Sequence, residues 1–157
     1  MNLFGRIFSA FGRTRIGGWT IRNVVTPLDR KLYRWTSGRI TISAMAFPTL
    51  LLVTVGRKSG KERITPLIYL RDGEKLLVGS SNVGLEQSAA WPLNIAANPA
   101  VRVQIGKSVR PYLARAGTSE EVDHYWPKFA AIYPPFATYA ERSGVRKLFI
   151  LEPAHET

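Results

Sequence analysis

Residues 50–69, LLLVTVGRKSGKERITPLIY, constrain the fold more than any other stretch of this chain. Two apolar runs rich in β-branched residues, 50–55 and 64–70, flank a short loop, Gly56-Arg57-Lys58-Ser59-Gly60-Lys61. Valine, isoleucine and threonine favour strands, and a short glycine-bearing loop between two such runs predicts a hairpin. Gly56 and Gly60 permit φ > 0 and a close backbone approach to a ligand. Successive N–H groups of such a turn can form a nest for an anion, with Lys58, Lys61 and Arg63 supplying counter-charge. The stretch is therefore expected to be a β-hairpin that carries an anion site.

The rest of the chain is consistent with one domain. Its 157 residues are enough to bury a core, and 45% hydrophobic with 21% charged residues is ordinary globular usage. With no cysteine, disulfides, thiolate metal sites and a thiol nucleophile are excluded. Only two histidines are present, His124 and His155, so no metal site is expected. The net charge of +11 calls for an anionic partner, and residues 1–39 hold eight Lys/Arg against Asp29 alone. The longest apolar run, 44–55, is broken by Pro48 and is shorter than the ~20 residues of a spanning helix. A cytoplasmic protein is expected.

In chain order, Phe4, Ile7, Phe8 and Phe11 recur at helical spacing, with Arg6, Arg13 and Arg15 off that stripe. This predicts a basic amphipathic helix over residues 2–15, which either packs on the core or a partner subunit or lies on an anionic membrane surface. Thr26-Pro27-Leu28-Asp29 reads as the start of a second helix ending at Gly38. After the hairpin, Asp72-Gly73 turns the chain into a third strand, 75–80, followed by a polar loop, Ser80-Ser81-Asn82-Val83-Gly84. Pro92 sets a helix start near Trp91 and Asn98-Pro99 ends that helix. Strands at 101–105 and 110–116 come next, with Pro111 implying an edge or a strand start. Thr118-Ser119-Glu120-Glu121 is a capping box for a helix to about Ile132 that turns Val122, Tyr125, Trp126 and Phe129 inward. A shorter helix follows the break at 133–136, with Tyr133, Phe136 and Tyr139 on one face, and 147–151 is the last strand. Successive antiparallel strands without crossover helices predict an α+β, mainly β, small barrel with flanking helices. Residues 1–39 form a cationic helical module, 40–153 the barrel and 154–157 a tail.

Familiar catalytic patterns are absent. The loop lacks the glycine before its lysine, and the helix after it, that a Walker phosphate loop requires. No G-x-S-x-G elbow occurs, and no histidine or carboxylate is placed recognisably as a base. An enzyme built this way needs a cofactor to carry the reactive atoms. Nucleic acid is disfavoured as the anionic partner, because no recognised binding motif is present.

Several short motifs in one order carry a more specific signal: Gly56-Arg57-Lys58-Ser59-Gly60 with Arg63, Thr65-Pro66-Leu67 with Tyr69, Ser80-Ser81-Asn82 with Gly84, Ala90-Trp91 with Asn94, and Ala97-Asn98-Pro99 with Val101. Together, over roughly residues 32–153, they resemble the deazaflavin-dependent nitroreductase family, split β-barrel proteins that use coenzyme F420 and include quinone reductases. The resemblance implies that Arg57, Lys58, Ser59, Gly60, Lys61 and Arg63 hold the cofactor's phosphate and acidic tail. It also implies that Thr65, Pro66, Leu67 and Ser80, Ser81, Asn82 and Gly84 line the deazaflavin ring, with Ala90, Trp91 and Asn94 beside it. Tyr69, Tyr133, Phe136 and Tyr139 then correspond to the acceptor side, where Tyr133, Tyr139 or Ser81 would serve the chemistry. The implied reaction is hydride transfer from reduced deazaflavin to a quinone-like or nitroaromatic acceptor.

The chain departs from the family pattern at 83–88 and at Pro92, which border the ring pocket and bear on substrate more than on cofactor. Two alternatives stay open at this point: a lipid- or fatty-acid-binding, membrane-surface protein without catalysis on the same barrel, and FMN in place of F420. A cationic, aromatic amino terminus (residues 1–15) suits peripheral attachment to the inner face of the cell membrane and a lipid-soluble acceptor. A homodimer is compatible with this reading.

Overall fold

The structure, a computed structural model, describes residues 47–80 and 89–154 and, towards the amino terminus, residues 6, 7, 10, 11, 14–25, 27, 28, 31 and 32. Six strands follow one another: β1 (Thr49–Val55), β2 (Glu62–Asp72), β3 (Lys75–Ser80), β4 (Ala100–Ile105), β5 (Ser108–Ala116) and β6 (Lys147–Pro153). They close into a barrel in the order β1-β2-β3-β6-β5-β4, and every neighbouring pair is antiparallel. Closure removes the unpaired edges that an open sheet of this size would expose. The expected split-barrel class and all six expected strands are found.

Pro111 lies inside β5, opposite Arg102, rather than at its start. Pairing of β5 with β6 begins one residue later, at Tyr112 opposite Pro153. The missing N–H therefore falls where β5 is still an edge on that side, the physical condition that the sequence had implied.

Alternation along the strands divides the apolar residues between two cores. Inside the barrel, Leu50, Leu52, Leu76, Val78, Val101, Val103, Tyr112, Phe149 and Leu151 pack together, and α1 (Ala90–Ala97) inserts Trp91 and Ile95 among them. Trp91 meets Phe149 edge-on at 4.9 Å between centroids. Outside, Leu77, Leu148 and Ile150 face α2 (Ser119–Ile132) and α3 (Pro135–Ser143), which supply Trp126, Phe129, Phe136 and Tyr139. Gly79 suits this outer face: even a Cβ there would only just touch Phe136 and Trp126, each at 3.5 Å.

The capping box forms as expected, with Thr118 Oγ1 accepting from the Glu121 N–H and Glu121 Oε2 accepting from the Thr118 N–H. Arg115 of β5 pairs with the same Glu121 at 2.9 Å and lies 3.4 Å from Glu152 of β6. These contacts tie the start of α2 to the barrel wall. A short helix, Arg15–Thr20, and a wider turn, Ile21–Val25, precede the barrel. Of their apolar side chains, Ile16 is 74% and Trp19 56% exposed, and Ile7 and Phe11 ahead of them are exposed too. Phe4, Phe8, Arg13, and most of the expected helix from Thr26 to Gly38, lie outside the described residues.

Candidate functional site

The antiparallel register places the 56–61 loop, the end of β3 at Ser80 and the start of β4 at the same end of the barrel. Helix α1 lies at that end too. The three buried polar side chains among the described residues, Thr54, Ser80 and Asn94, all lie there. A polar group withdrawn from water is costly unless it is bonded, and two of these bond each other: Asn94 Nδ2 donates to Thr54 Oγ1 at 3.1 Å. Asn94 Oδ1 also accepts from the backbone N–H of Arg57 at 3.2 Å, joining helix, strand and loop.

The loop backbone differs from the expected nest. Gly56 N–H donates to the Lys61 carbonyl, Ser59 and Gly60 both donate to the Gly56 carbonyl, Arg57 donates to Asn94, and Lys61 donates to Ser59 Oγ. Of the six N–H groups, only that of Lys58 lacks a partner among the described residues. Five of the six amides are thus engaged within the loop or with Asn94, which leaves the Lys58 N–H and the side chains to face a ligand. Gly60 does take the left-handed conformation, with φ of 65°. Gly56 does not; it is needed for space, because a Cβ there would stand 2.8 Å from Ser59 Oγ and 3.2 Å from the Lys61 carbonyl oxygen.

The side chains have the required character. Arg57, Lys58, Lys61 and Arg63 are exposed, with Arg63 Nη2 3.4 Å from Ser59 Oγ. The nearby acid, Glu62, is paired to Arg102 on β4, so it does not cancel the cluster. Three cations on a tightly bonded turn and a fourth near the start of β2 concentrate positive charge at this end of the barrel. Phosphate and carboxylate groups match this donor set.

The remaining residues singled out from sequence are distributed more widely. Thr65, Pro66 and Leu67 pair with Leu52, Leu51 and Leu50 of β1, and successive strand residues point to opposite faces. Leu67 packs with the interior cluster, so Pro66 does not share its face. Trp91 fills the barrel interior and Ala90 is exposed. Ser81, Asn82 and Gly84 lie outside the described residues. Tyr69 packs with the interior cluster, whereas Tyr133, Phe136 and Tyr139 belong to the outer one. The four acceptor-side residues are therefore not brought into one cluster. Tyr133 and Tyr139 share a hydrogen bond at 3.2 Å between hydroxyls. Burial pushes both phenols up, with the neighbouring Tyr139 adding to the effect on Tyr133, so both remain neutral at physiological pH.

The family model for F420H(2)-dependent quinone reductase matches residues 26–151, most of the chain. The chain belongs to the F420H(2)-dependent quinone reductase family. An F420H(2)-dependent quinone reductase of Mycobacterium tuberculosis is 36% identical over 123 residues, which is 75% of this chain and 78% of the relative. Among solved structures, an F420H2-dependent reductase (FDR-A) aligns with a TM-score of 0.61 at 36% identity over 67% of this chain and 94% of that one. Another, described as a domain-swapped dimer, aligns at 0.63 with 32% identity over 80% and 96%. The quinone reductase family is one of oxidoreductases, with coenzyme F420 as cofactor and hydride transfer to a quinone as the reaction. Nothing in these likenesses supports the lipid-binding alternative.

Thr54 was missed by the sequence reading. It stands at 54 in the inward series 50, 52, 54, and a polar residue ending an inward apolar series is a signal that strand propensity alone conceals.

Proposed function

We propose that the 56–63 hairpin captures F420 by its tail, with Arg57, Lys58, Lys61 and Arg63 pairing with phosphate and glutamyl carboxylates. The observation that carries this reading is the exposed four-cation cluster on a turn whose own amides are almost all engaged. Side-chain cations on an ordered turn bind without further ordering of the backbone, which lowers the entropic cost of association. Ser80, Ser81, Asn82 and Gly84, with Thr65 and Leu67, are assigned to the deazaflavin end. Reduced deazaflavin supplies the hydride; the protein supplies position and a water-poor surface.

Tyr133, Phe136 and Tyr139 are assigned to the acceptor side. In support, a purely structural cluster gains little from two phenol hydroxyls in place of phenylalanine rings, since a buried hydroxyl pair contributes only about 1 kcal/mol net. Held neutral, either tyrosine can donate a hydrogen bond to a quinone oxygen as the hydride arrives, with water supplying the proton that completes the quinol. The exposed Ile7, Phe11, Ile16 and Trp19 beside Arg6 and Arg15 support contact with an anionic bilayer, where a lipid-soluble quinone would be met. Among the described residues no helix is long and apolar enough to cross a membrane. Assembly as a homodimer has the domain-swapped relative in its favour.

Anaerobic oxidation of F420H2 by a menaquinone analogue, followed at the deazaflavin absorbance with and without anionic liposomes, tests this reading. Turnover with the quinone and liposome binding lost on deletion of residues 1–15 are expected. Absence of turnover overturns the acceptor assignment, and unchanged liposome binding after the deletion overturns the membrane contact.

A further inference from the structure

We infer that Thr54 and Asn94 are positioning residues that hold the cation loop in its binding shape; this rests on the assignment of that loop to the F420 tail. Asn94 is 3% and Thr54 1% exposed, in a barrel end otherwise filled by Trp91, Ile95 and aliphatic side chains. Both atoms of the Asn94 amide group are engaged within the protein: Nδ2 donates to Thr54 Oγ1 and Oδ1 accepts from the Arg57 N–H. One Nδ2 hydrogen and one Oδ1 lone pair are thus committed within the protein, on a side chain that is almost wholly buried. It fixes the first residue of the loop that bears a cation.

The loop's remaining bonds depend on that anchor. The Gly56 carbonyl accepts from both Ser59 and Gly60, and the Gly56 N–H reaches Lys61, so the turn is closed upon the residue just before Arg57. Ser59 Oγ in turn lies within reach of Arg63. Release of the Arg57 amide frees the hinge of this arrangement, and the loop cations Arg57, Lys58 and Lys61 lose their fixed placement relative to Arg63 on β2. Affinity for a ligand with several anionic groups should fall, while charge itself is unchanged.

The same contacts separate two replacements of Thr54. Valine matches its shape but removes the acceptor, leaving the Asn94 amide hydrogen buried without a partner. Serine keeps the hydroxyl.

The test has two arms on the full-length protein. Amide hydrogen exchange, without cofactor, should show the Arg57 and Gly60 amides losing protection in Thr54→Val and Asn94→Leu, with Leu50, Leu52 and Val78 in the barrel retaining theirs. Titration with oxidised F420 should show the dissociation constant rising about tenfold in both variants, with Thr54→Ser within about twofold of wild type. An Arg57 amide that stays protected in both variants overturns the brace. Lost protection with unaltered F420 affinity, or a serine variant as weak as valine, overturns the positioning role. If wild-type protein fails to bind F420, the assignment of the loop to the cofactor tail falls, and the exchange arm still decides whether the brace exists.

Discussion

The hairpin loop at the barrel's end and the aromatic cluster on its outer wall deal with polar groups in opposite ways. In the loop, the backbone amides are spent internally and the charges are turned outward to solvent. In the cluster, four ring pairs pack edge-on at 4.9 to 5.7 Å between centroids and two are tilted at 6.1 and 6.3 Å, and polar atoms are drawn inside: the Tyr133 and Tyr139 hydroxyls face each other, and the Trp126 indole N–H has no partner among the described residues. The first arrangement suits reversible capture of a charged ligand. The second binds helices α2 and α3 to the sheet and reserves its polarity for a few buried hydroxyls. Losses of stability should therefore concentrate in the cluster, and losses of cofactor affinity in the loop.

The largest effect is expected in the cluster. Phe129 is fully buried, and Phe129→Ala should destabilise the fold by about 3–5 kcal/mol, read from urea unfolding. A loss below about 1 kcal/mol would mean that the cluster is open rather than packed. Next comes the loop: Lys58→Ala should weaken F420 binding by about 1.5–3 kcal/mol yet move folding stability by no more than about 0.5 kcal/mol. Comparable losses in both measurements would dissolve the contrast between the regions.

Tyr133→Phe probes the place where the two roles meet. Removing one hydroxyl of the buried pair should cost about 1 kcal/mol of stability, while kcat/KM for the quinone falls at least about tenfold. Unchanged turnover would return Tyr133 and Tyr139 to a structural role.

The smallest effect concerns the ion pairs at the start of α2. Hydrogen bonds from Arg115 and from the Thr118 N–H hold the Glu121 carboxyl at about 2 instead of the usual 4.5. A carboxylate depressed in the folded state stabilises it above the unfolded pKa, and that contribution disappears as pH falls from about 4.5 through about 2. Glu121→Gln should cost less than about 1 kcal/mol at neutral pH and flatten the stability profile in that acid window. An identical profile in the variant would show that the pair contributes nothing.

What the sequence disclosed follows the same division. Strand alternation, the glycine-flanked loop and the Thr118–Glu121 box are local signals, so the six strands and the capped helix could be read directly. The loop's cations were legible for the same reason. Its hydrogen bonding was not, because the partner of the Arg57 amide lies 37 residues away on Asn94, and no local pattern records that contact. Thr54 was taken for a strand former when its inward position had made it the other half of the pair. The aromatic stripe at 133, 136 and 139 has the same spacing whether it serves packing or acceptor contact, and periodicity does not separate the two. The amino-terminal stripe was equally ambiguous: Ile7 and Phe11 are exposed, so they do not pack on the core, and exposure does not separate a partner subunit from a membrane.

The central proposal is recognition of the cofactor's acidic tail by the side-chain cations of the hairpin. The direct measurement compares the dissociation constants of intact F420 and of the deazaflavin head alone, lacking phosphate and glutamyl groups, at low and high salt. Intact F420 should bind about 100-fold or more tightly at low salt, with the gap narrowing as salt screens the loop. Equal affinity for the two ligands, or a gap indifferent to salt, would contradict the assignment.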